Sequence, residues 1–496
     1  MGSSNRLGKT ARMRQGARSA MARLEESFKL RYLGVGFIWA WVYCSYETSA
    51  LYPDREGIGI NADPSWLASA TAVVVALFAC GLLLRRTDLS RSRTLRSLAM
   101  AFVATGTVLS AIVGIVPLPA GIVYGLSGAL SGTGTALLCL MWGDALSRLD
   151  VEQMEIAVPA ASLATFLCVL VFPYLQGVVG VVAVTSLPLL SGGMLAATYH
   201  GLAAKRMLQP AGKASKGVRS EFGRIAVILF VAYFVIGCIG ALQEAEEPFV
   251  QVFGFDLPTF IGSGFGIVLV VCFIFFSLKI DFASLFRWLA PLVVLSLALF
   301  PWQDVLPSFV SSTIMAIADT CLQAVSYLYV IALAKRRFIS VAVGIGTSQG
   351  ALQLGVLAGN LAGEAASPLV ASGSLNVFVV VLALICLFSF SLALLPARGG
   401  KAPMRAAAGG SEPAESAFAA TCRQLAAANG LSAREEEVLG YLAKGRSQPY
   451  IREELLLSKN TVATHVKHIY QKLDVHSRQE VLDLFETKGE RAGASP

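Results

Sequence analysis

The residues best placed to do chemistry lie between Lys459 and Leu473. Wound as a helix, Val462, Val466, Ile469, Tyr470 and Leu473 share one stripe, with Asn460, Thr464, Lys467, His468 and Gln471 opposite. No acid occurs in this stretch, although residues 431–488 balance nine basic against nine acidic side chains. Amide, hydroxyl and ammonium groups on an acid-free helical face match the base edges and phosphates of a duplex major groove. A solvated amphipathic helix would show the same stripe, so the wheel alone leaves both readings open. His465 and His468 stand one turn apart, but no cysteine or acid joins them in a ligand pattern, and metal binding is not expected.

A second candidate is Asp319, an acid well inside an apolar run. Gln323 follows one turn later, and Gln349 and Gln353 stand a turn apart in the next run. An ionisable group in hydrocarbon is costly and marks a candidate sensing site, with a structural role beside helix hydroxyls or amides as the competing reading. The nine cysteines contain no C-x-x-C pair, and eight fall inside apolar runs, which reads as small hydrophobes. Nothing resembles a catalytic constellation or a cofactor motif, so no enzyme activity is expected.

The elements that must position these groups follow from composition. Of 496 residues, 55% are hydrophobic and only 15% charged, against roughly 25% charged in a soluble domain. Residues 1–31 carry eight basic and two acidic residues, a basic arm suited to anionic lipid, whereas residues 32–396 carry 18 of each sign. The arm is too long, and the run after it too lacking in a small-residue cleavage site, for a signal peptide. Twelve stretches are long enough to span a bilayer: 30–50, 65–84, 95–116, 119–142, 155–175, 177–199, 223–243, 257–278, 286–303, 308–333, 341–362 and 374–395. Alternate connections hold 17 Lys/Arg, among them Arg85, Arg86, Arg148, Lys213, Arg336 and Arg337; the other set holds only Arg55, amid acids. That asymmetry puts both termini in the cytoplasm. The long basic connection 201–222 separates six spans from six, and this topology resembles the major facilitator architecture. The glycines of the fourth stretch (Gly121, Gly125, Gly128, Gly132) are expected to allow close helix packing.

After residue 397 the composition turns Ala/Gly/Pro-rich, as in a flexible linker, with a short helix expected over 416–428. Four punctuated helices follow. Ser432 with Glu435 forms a capping box, Val438, Leu439 and Leu442 line the inner face, and Gly445 ends the helix. Ser447 caps a second helix with Pro449 in its first turn and Ile451, Leu455 and Leu456 inward. Ser458 caps the third, and Ser477 with Glu480 opens the fourth, with Val481, Leu482 and Phe485. The acidic run Glu435–Glu437 is expected to be available for docking on basic loops such as Arg86, Arg336 and Arg337.

Leu431-Ser-Ala-Arg-Glu-Glu-Glu-Val-Leu, Gly445-Arg-Ser, Ser458-Lys-Asn-Thr-Val-Ala-Thr-His-Val-Lys-His-Ile-Tyr-Gln-Lys-Leu and Ser477-Arg together resemble the LuxR-type helix-turn-helix domain. The resemblance implies that the third helix enters the major groove and that the fourth, through Val481, Leu482 and Phe485, forms a dimer contact. It further implies that Ala463, Thr464 and Lys467 face bases, with Lys459, Thr461 and His468 near phosphates. Asn460 and Gln471 complete the expected DNA-binding set. Two residues depart from the family pattern: Arg452 replaces a small residue packed on the third helix, and Asp474 replaces a glycine. No receiver domain precedes the motif.

The sequence therefore leads to an all-α chain. A basic arm (1–29) precedes a twelve-span membrane domain (30–396), a linker with a short helix (397–430), a LuxR-type DNA-binding domain (431–488) and a tail (489–496). The expected protein is a multi-pass transcription regulator of a bacterial inner membrane. Its partners are double-stranded promoter DNA, the lipid bilayer, a second copy of itself through the tail, and an unknown small-molecule ligand. The alternative is a major-facilitator-like transporter with a regulatory DNA-binding tail.

Overall fold

The computed structural model describes residues 29–48, 50–51, 64–113, 117–202, 216–246, 251–252, 255–276, 282–302, 305–335, 339–395, 413–443, 445–455 and 457–493. Most of the basic arm, Arg55 and its neighbouring acids, Lys213, Arg336, Arg337, Leu456 and most of the linker lie outside them. The chain divides into two compact units, one holding residues 1–149, 153–274 and 280–400, the other chiefly 401–496.

Each apolar stretch of the first unit is helical. A 3₁₀ entry at Leu30–Val35 leads into α1 (Gly36–Tyr46), then α2 (Pro64–Leu83), α3 (Arg93–Ala111), α4 (Ala120–Ser147), α5 (Val151–Ala160), α6 (Ser162–Val171) and α7 (Gly177–Gly201). After the long connection come α8 (Lys216–Glu246), a two-residue ladder of β1 (Gln251–Val252) with β2 (Phe255–Asp256), and α9 (Leu257–Phe276). Helices α10 (Phe282–Leu299), α11 (Ser308–Lys335), α12 (Val341–Ala371) and α13 (Val377–Leu392) complete the unit. Among the described residues, eight helices are long and apolar enough to cross a membrane; Leu257–Cys272, Leu289–Trp302 and Val377–Leu392 are shorter apolar helices. The fifth stretch is split into α5 and α6 beside Pro159. Proline removes a backbone donor there, and Ser162 Oγ donates to the Pro159 carbonyl at 2.8 Å.

The outside of the unit is apolar, with Leu83, Val178 and Phe390 among its most exposed side chains. In lipid such surfaces gain nothing by meeting, so helix association depends on close packing. Gly128 and Gly132 lie against the α2 backbone at Ser65–Val73, leaving no room for a Cβ, whereas Gly121 and Gly125 face open space. The fourth stretch thus packs through half of its expected glycines. Gly355, Gly359 and Gly363, spaced by four, bring α12 against Phe230, Phe234 and Cys238 of α8. The parts before and after the long connection meet where Gly81 of α2 faces Gly346 of α12, and where Phe166 of α6 stacks on Phe260 of α9 at 4.5 Å. Between them, Tyr327 of α11 is fully buried against Trp39 of α1 and hydrogen-bonded to Cys139 of α4.

Among the described residues the second unit has five helices: α14 (Pro413–Ala428), α15 (Ala433–Ala443), α16 (Gln448–Leu455), α17 (Lys459–Leu473) and α18 (Arg478–Gly493). Its core joins Leu425 to Val438, Leu439, Leu442, Ile451, Leu455, Leu457, Val462, Val466, Ile469, Val475 and Val481. Helix α14 begins three residues earlier than the sequence indicates and contributes Leu425 to that core.

Candidate nucleic-acid interface

Local signals set the position of α17. Ser458 is extended, and its Oγ accepts the Thr461 N–H at 3.2 Å, satisfying a donor the helix start would leave orphaned. At the other end Asp474 takes a left-handed conformation, φ 53°, which Asp tolerates better than most residues. Upstream, Gly445 (φ 71°) ends α15, and Ser447 Oγ accepts the Tyr450 N–H at 3.4 Å to open α16. The Ser432–Glu435 capping box closes both ways: Glu435 Oε2 accepts the Ser432 N–H at 2.7 Å and Ser432 Oγ accepts the Glu435 N–H at 3.3 Å. The second box is altered. Ser477 Oγ accepts the Glu480 N–H, but the Glu480 carboxylate reaches back to the His476 N–H at 2.8 Å.

With Val462, Val466 and Ile469 buried, the opposite face of α17 presents Asn460, Ala463, Thr464, Lys467, His468 and Gln471 to solvent. The base-facing trio implied by the resemblance therefore stands on one exposed face. Lys459 opens the helix, and its side chain lies outside the described part. Thr461 is half-buried at the cap, its hydroxyl 2.9 Å from Ser458 Oγ. Arg452 is accommodated half-buried while its neighbours Ile451 and Leu455 pack on α17. Gln448, at the start of α16, lines the same groove as Ala463, Lys467 and Gln471. The wheel of α17 alone gives no signal for that residue; the turn between helices puts it there. The Arg446 guanidinium lies 4.8 Å from the Tyr450 ring centroid.

Two expectations are corrected. Val481 is fully buried in the core, so it is not available for a dimer contact; Leu482 and Phe485 are half-buried beside it. Glu435 is not a surface docking charge either. It is buried, and Lys472 Nζ donates to its Oε2 at 2.8 Å and to the Gly430 carbonyl at 3.0 Å, while His468 Nδ1 lies 3.5 Å from Oε1. Burial pushes the Glu435 carboxyl up, but Lys472 and the Ser432 hydrogen bonds outweigh it and hold it at about 2. This tie fixes the last turn of α17 to the start of α15. Glu437 is paired with Arg434.

In the membrane unit the four sensing candidates are only partly assembled. Asp319 and Gln323 both reach the Tyr233 hydroxyl of α8, which donates to Gln323 Oε1 at 3.2 Å. Gln349 is buried and its amide donates to Ser326 Oγ at 3.5 Å; Gln353 is half-buried, and among the described residues no hydrogen bond joins it to them. All of these helices belong to the second half. A further buried acid lies in α4. Helix α4 runs past its expected end at residue 142, and Asp144 is buried there, paired with Arg148 at 2.9 Å and accepting the Tyr199 hydroxyl at 3.0 Å. Arg148 also binds Asp88 at 2.7 Å. Burial raises the Asp88 carboxyl, but hydrogen bonds from Ser90 and Arg148 outweigh it and leave the group below its ordinary range.

The comparisons with known proteins divide the same way. Residues 429–485 match the luxR family of bacterial regulatory proteins. The segment is 49% identical over 53 residues to the Fimbriae Z protein of Salmonella typhimurium, covering 11% of this chain and 25% of that protein. It is 52% identical over 48 residues to the probable transcriptional regulatory protein NarL of Mycobacterium tuberculosis, covering 10% of this chain and 22% of that protein. The chain thus spans about a quarter of the length of these curated relatives. The helical bundle matches a bacterial homologue of the iron transporter ferroportin (TM-score 0.52, 13% identity, 76% of this chain and 98% of that one). It also matches the human organic anion transporter MFSD10 (TM-score 0.51, 12% identity, 76% and 99%). The chain joins a LuxR-type DNA-binding domain to a membrane unit with the fold of major facilitator transporters.

Proposed function

We propose that this protein is a membrane-integral transcription regulator that binds promoter DNA in sequence-specific fashion and acts by binding rather than by catalysis. The observation that carries this reading is the exposed, acid-free face of α17, held in a LuxR-type domain on the same chain as the apolar bundle. Thr464 and Lys467 would read base edges, while the α17 N-terminus and Lys459 would meet phosphates. Two tails would pair along α18 through Leu482 and Phe485 to read two half-sites.

The membrane unit would cross the bilayer of a bacterial cell twelve times with both termini in the cytoplasm, as the basic connections favour. It would sense a small ligand or the state of the membrane, and the Asp319–Tyr233–Gln323 cluster is the candidate site. The alternative, a transporter with a regulatory tail, is supported by the fold of the bundle. Tyr327, filling the space against Trp39 and Cys139 between the halves, favours the sensor. Sequence-selective binding of full-length protein in nanodiscs to fragmented genomic DNA tests the reading. Enrichment of discrete sites that vanishes in Lys467→Ala supports it, and enrichment without sequence preference refutes it.

A further inference from the structure

The polar side chains of α17 fall into two sets. Thr461 and His468 are engaged, the first with Ser458 Oγ at 2.9 Å and the second beside Glu435 at 3.5 Å. Thr464, Lys467 and Gln471 are exposed and hydrogen-bond to none of the described residues. Ala463, Lys467 and Gln471, spaced by four, form one row along the helix. Gln448 of α16 lines the groove beside that row, and its exposed amide is likewise uncommitted among the described residues. The seat of Gln448 is fixed on several sides. Ser447 Oγ accepts the Tyr450 N–H at 3.4 Å, and the Tyr450 ring lies against the Arg446 guanidinium and 6.3 Å from the Tyr441 ring. Arg478 donates to the Gly445 carbonyl in the turn before it, and Ile451 anchors α16 in the core.

We propose that Gln448 is a specificity-determining residue, reading an adenine from α16 at a base pair next to the one read by Lys467. The inference rests on the DNA-binding reading given above. In that reading Ala463 faces a base, yet its side chain ends at a methyl group, which can touch a thymine methyl but offers no hydrogen bond. The base edge opposite Ala463 therefore lacks a polar partner from α17, and Gln448 supplies one from across the groove. A carboxamide both donates and accepts, so it pairs in bidentate fashion with N6 and N7 of adenine in the major groove. Lys467 and Asp474 line the groove with opposite charges. A neutral amide placed there gains little net pull from phosphate, which favours a base edge as its partner. Because the start of α16 is held by its cap and by Tyr450, little backbone freedom is lost when the contact forms. The reading surface of the domain is thus built from two helices, with α16 contributing a base contact of its own.

The test selects bound duplexes from a random DNA library with the full-length protein in nanodiscs, comparing the parent with Gln448→Ala and Lys467→Ala. Gln448 is exposed, so its truncation leaves the fold intact. The parent should select a motif containing an adenine beside the position that Lys467→Ala relaxes. Gln448→Ala should select the same motif with that adenine position, and no other, randomised. Replacing the adenine with 7-deazaadenine, which lacks the N7 acceptor, should weaken the parent about tenfold and leave Gln448→Ala unchanged. An unchanged motif in Gln448→Ala would overturn the proposal. So would a uniform loss of affinity with every preference retained, the signature of a phosphate contact. Preference lost at the Lys467 position instead, or for a base other than adenine, would also overturn it. In each of these cases the parent still selects a motif, and the regulator reading stands. A parent that selects no motif would refute the regulator reading, and this inference with it.

Discussion

Replacing Glu435 with Gln tests how the reading helix is held. In the native tail this carboxylate accepts the Ser432 N–H and the Lys472 ammonium and sits 3.5 Å from His468. Its carboxyl is held at about 2, against 4.5 for an unperturbed glutamate. At about 1.4 kcal/mol per unit that difference sets an upper bound of about 3.5 kcal/mol. Lys472 is 39% exposed, and solvent screening reduces the figure to about 1.5 kcal/mol. The sign follows from the depressed value. The contribution is complete above the unfolded glutamate's titration and is lost as the pH falls from about 5 toward 2. Residues 413–496 carry their own core, so urea unfolding of this fragment followed by circular dichroism is the assay. Glu435→Gln should lower stability by about 1.5 kcal/mol near neutral pH, with the gap to the parent narrowing steadily below pH 5. A gap that stays constant down to the acid limit, or no gap at neutral pH, would refute the ion-pair account.

Further outcomes follow from the same structure. Lys467→Ala should weaken specific DNA binding by about 1–3 kcal/mol and relax preference at one position, whereas Lys459→Ala should weaken all binding and flatten the salt slope by about one unit, both read by titration at several salt concentrations. Val481→Ala should cost the tail about 2 kcal/mol of stability in the same urea assay, while Leu482→Glu should leave stability nearly unchanged and lower the dimer fraction in analytical ultracentrifugation. A cytoplasm-dependent reporter should be active after Arg86, Lys213 or Pro496 and silent after Glu56 or Glu246; activity at Glu246 would overturn the topology.

The tail was the more legible part of the sequence because short helices announce their ends. Ser432, Gly445, Ser447, Ser458 and Asp474 all sit where their side-chain or backbone preferences put them. What could not be read there was long-range partnership. An acid in a capping box looks solvated until Lys472, 37 residues away, closes on it, and Val481 looks like an interface residue until the core is assembled. In the bundle, helix positions followed from apolar run length, but ends did not: α4 continues past residue 142 and buries Asp144, because Arg148 and Tyr199 supply its partners. Partners of Asp319 were likewise invisible, since Tyr233 is brought to it by the close approach of other helices rather than by any local pattern.

Chromatin immunoprecipitation of the full-length chain, crosslinked in living cells and recovered from the membrane fraction, tests the central claim most directly. The account predicts discrete promoter peaks sharing a sequence with two half-sites, abolished in a Thr464→Ala, Lys467→Ala chain that still reaches the membrane in normal amount. Recovery of the membrane-bound chain without any such peaks, or peaks unchanged in the double variant, would contradict it.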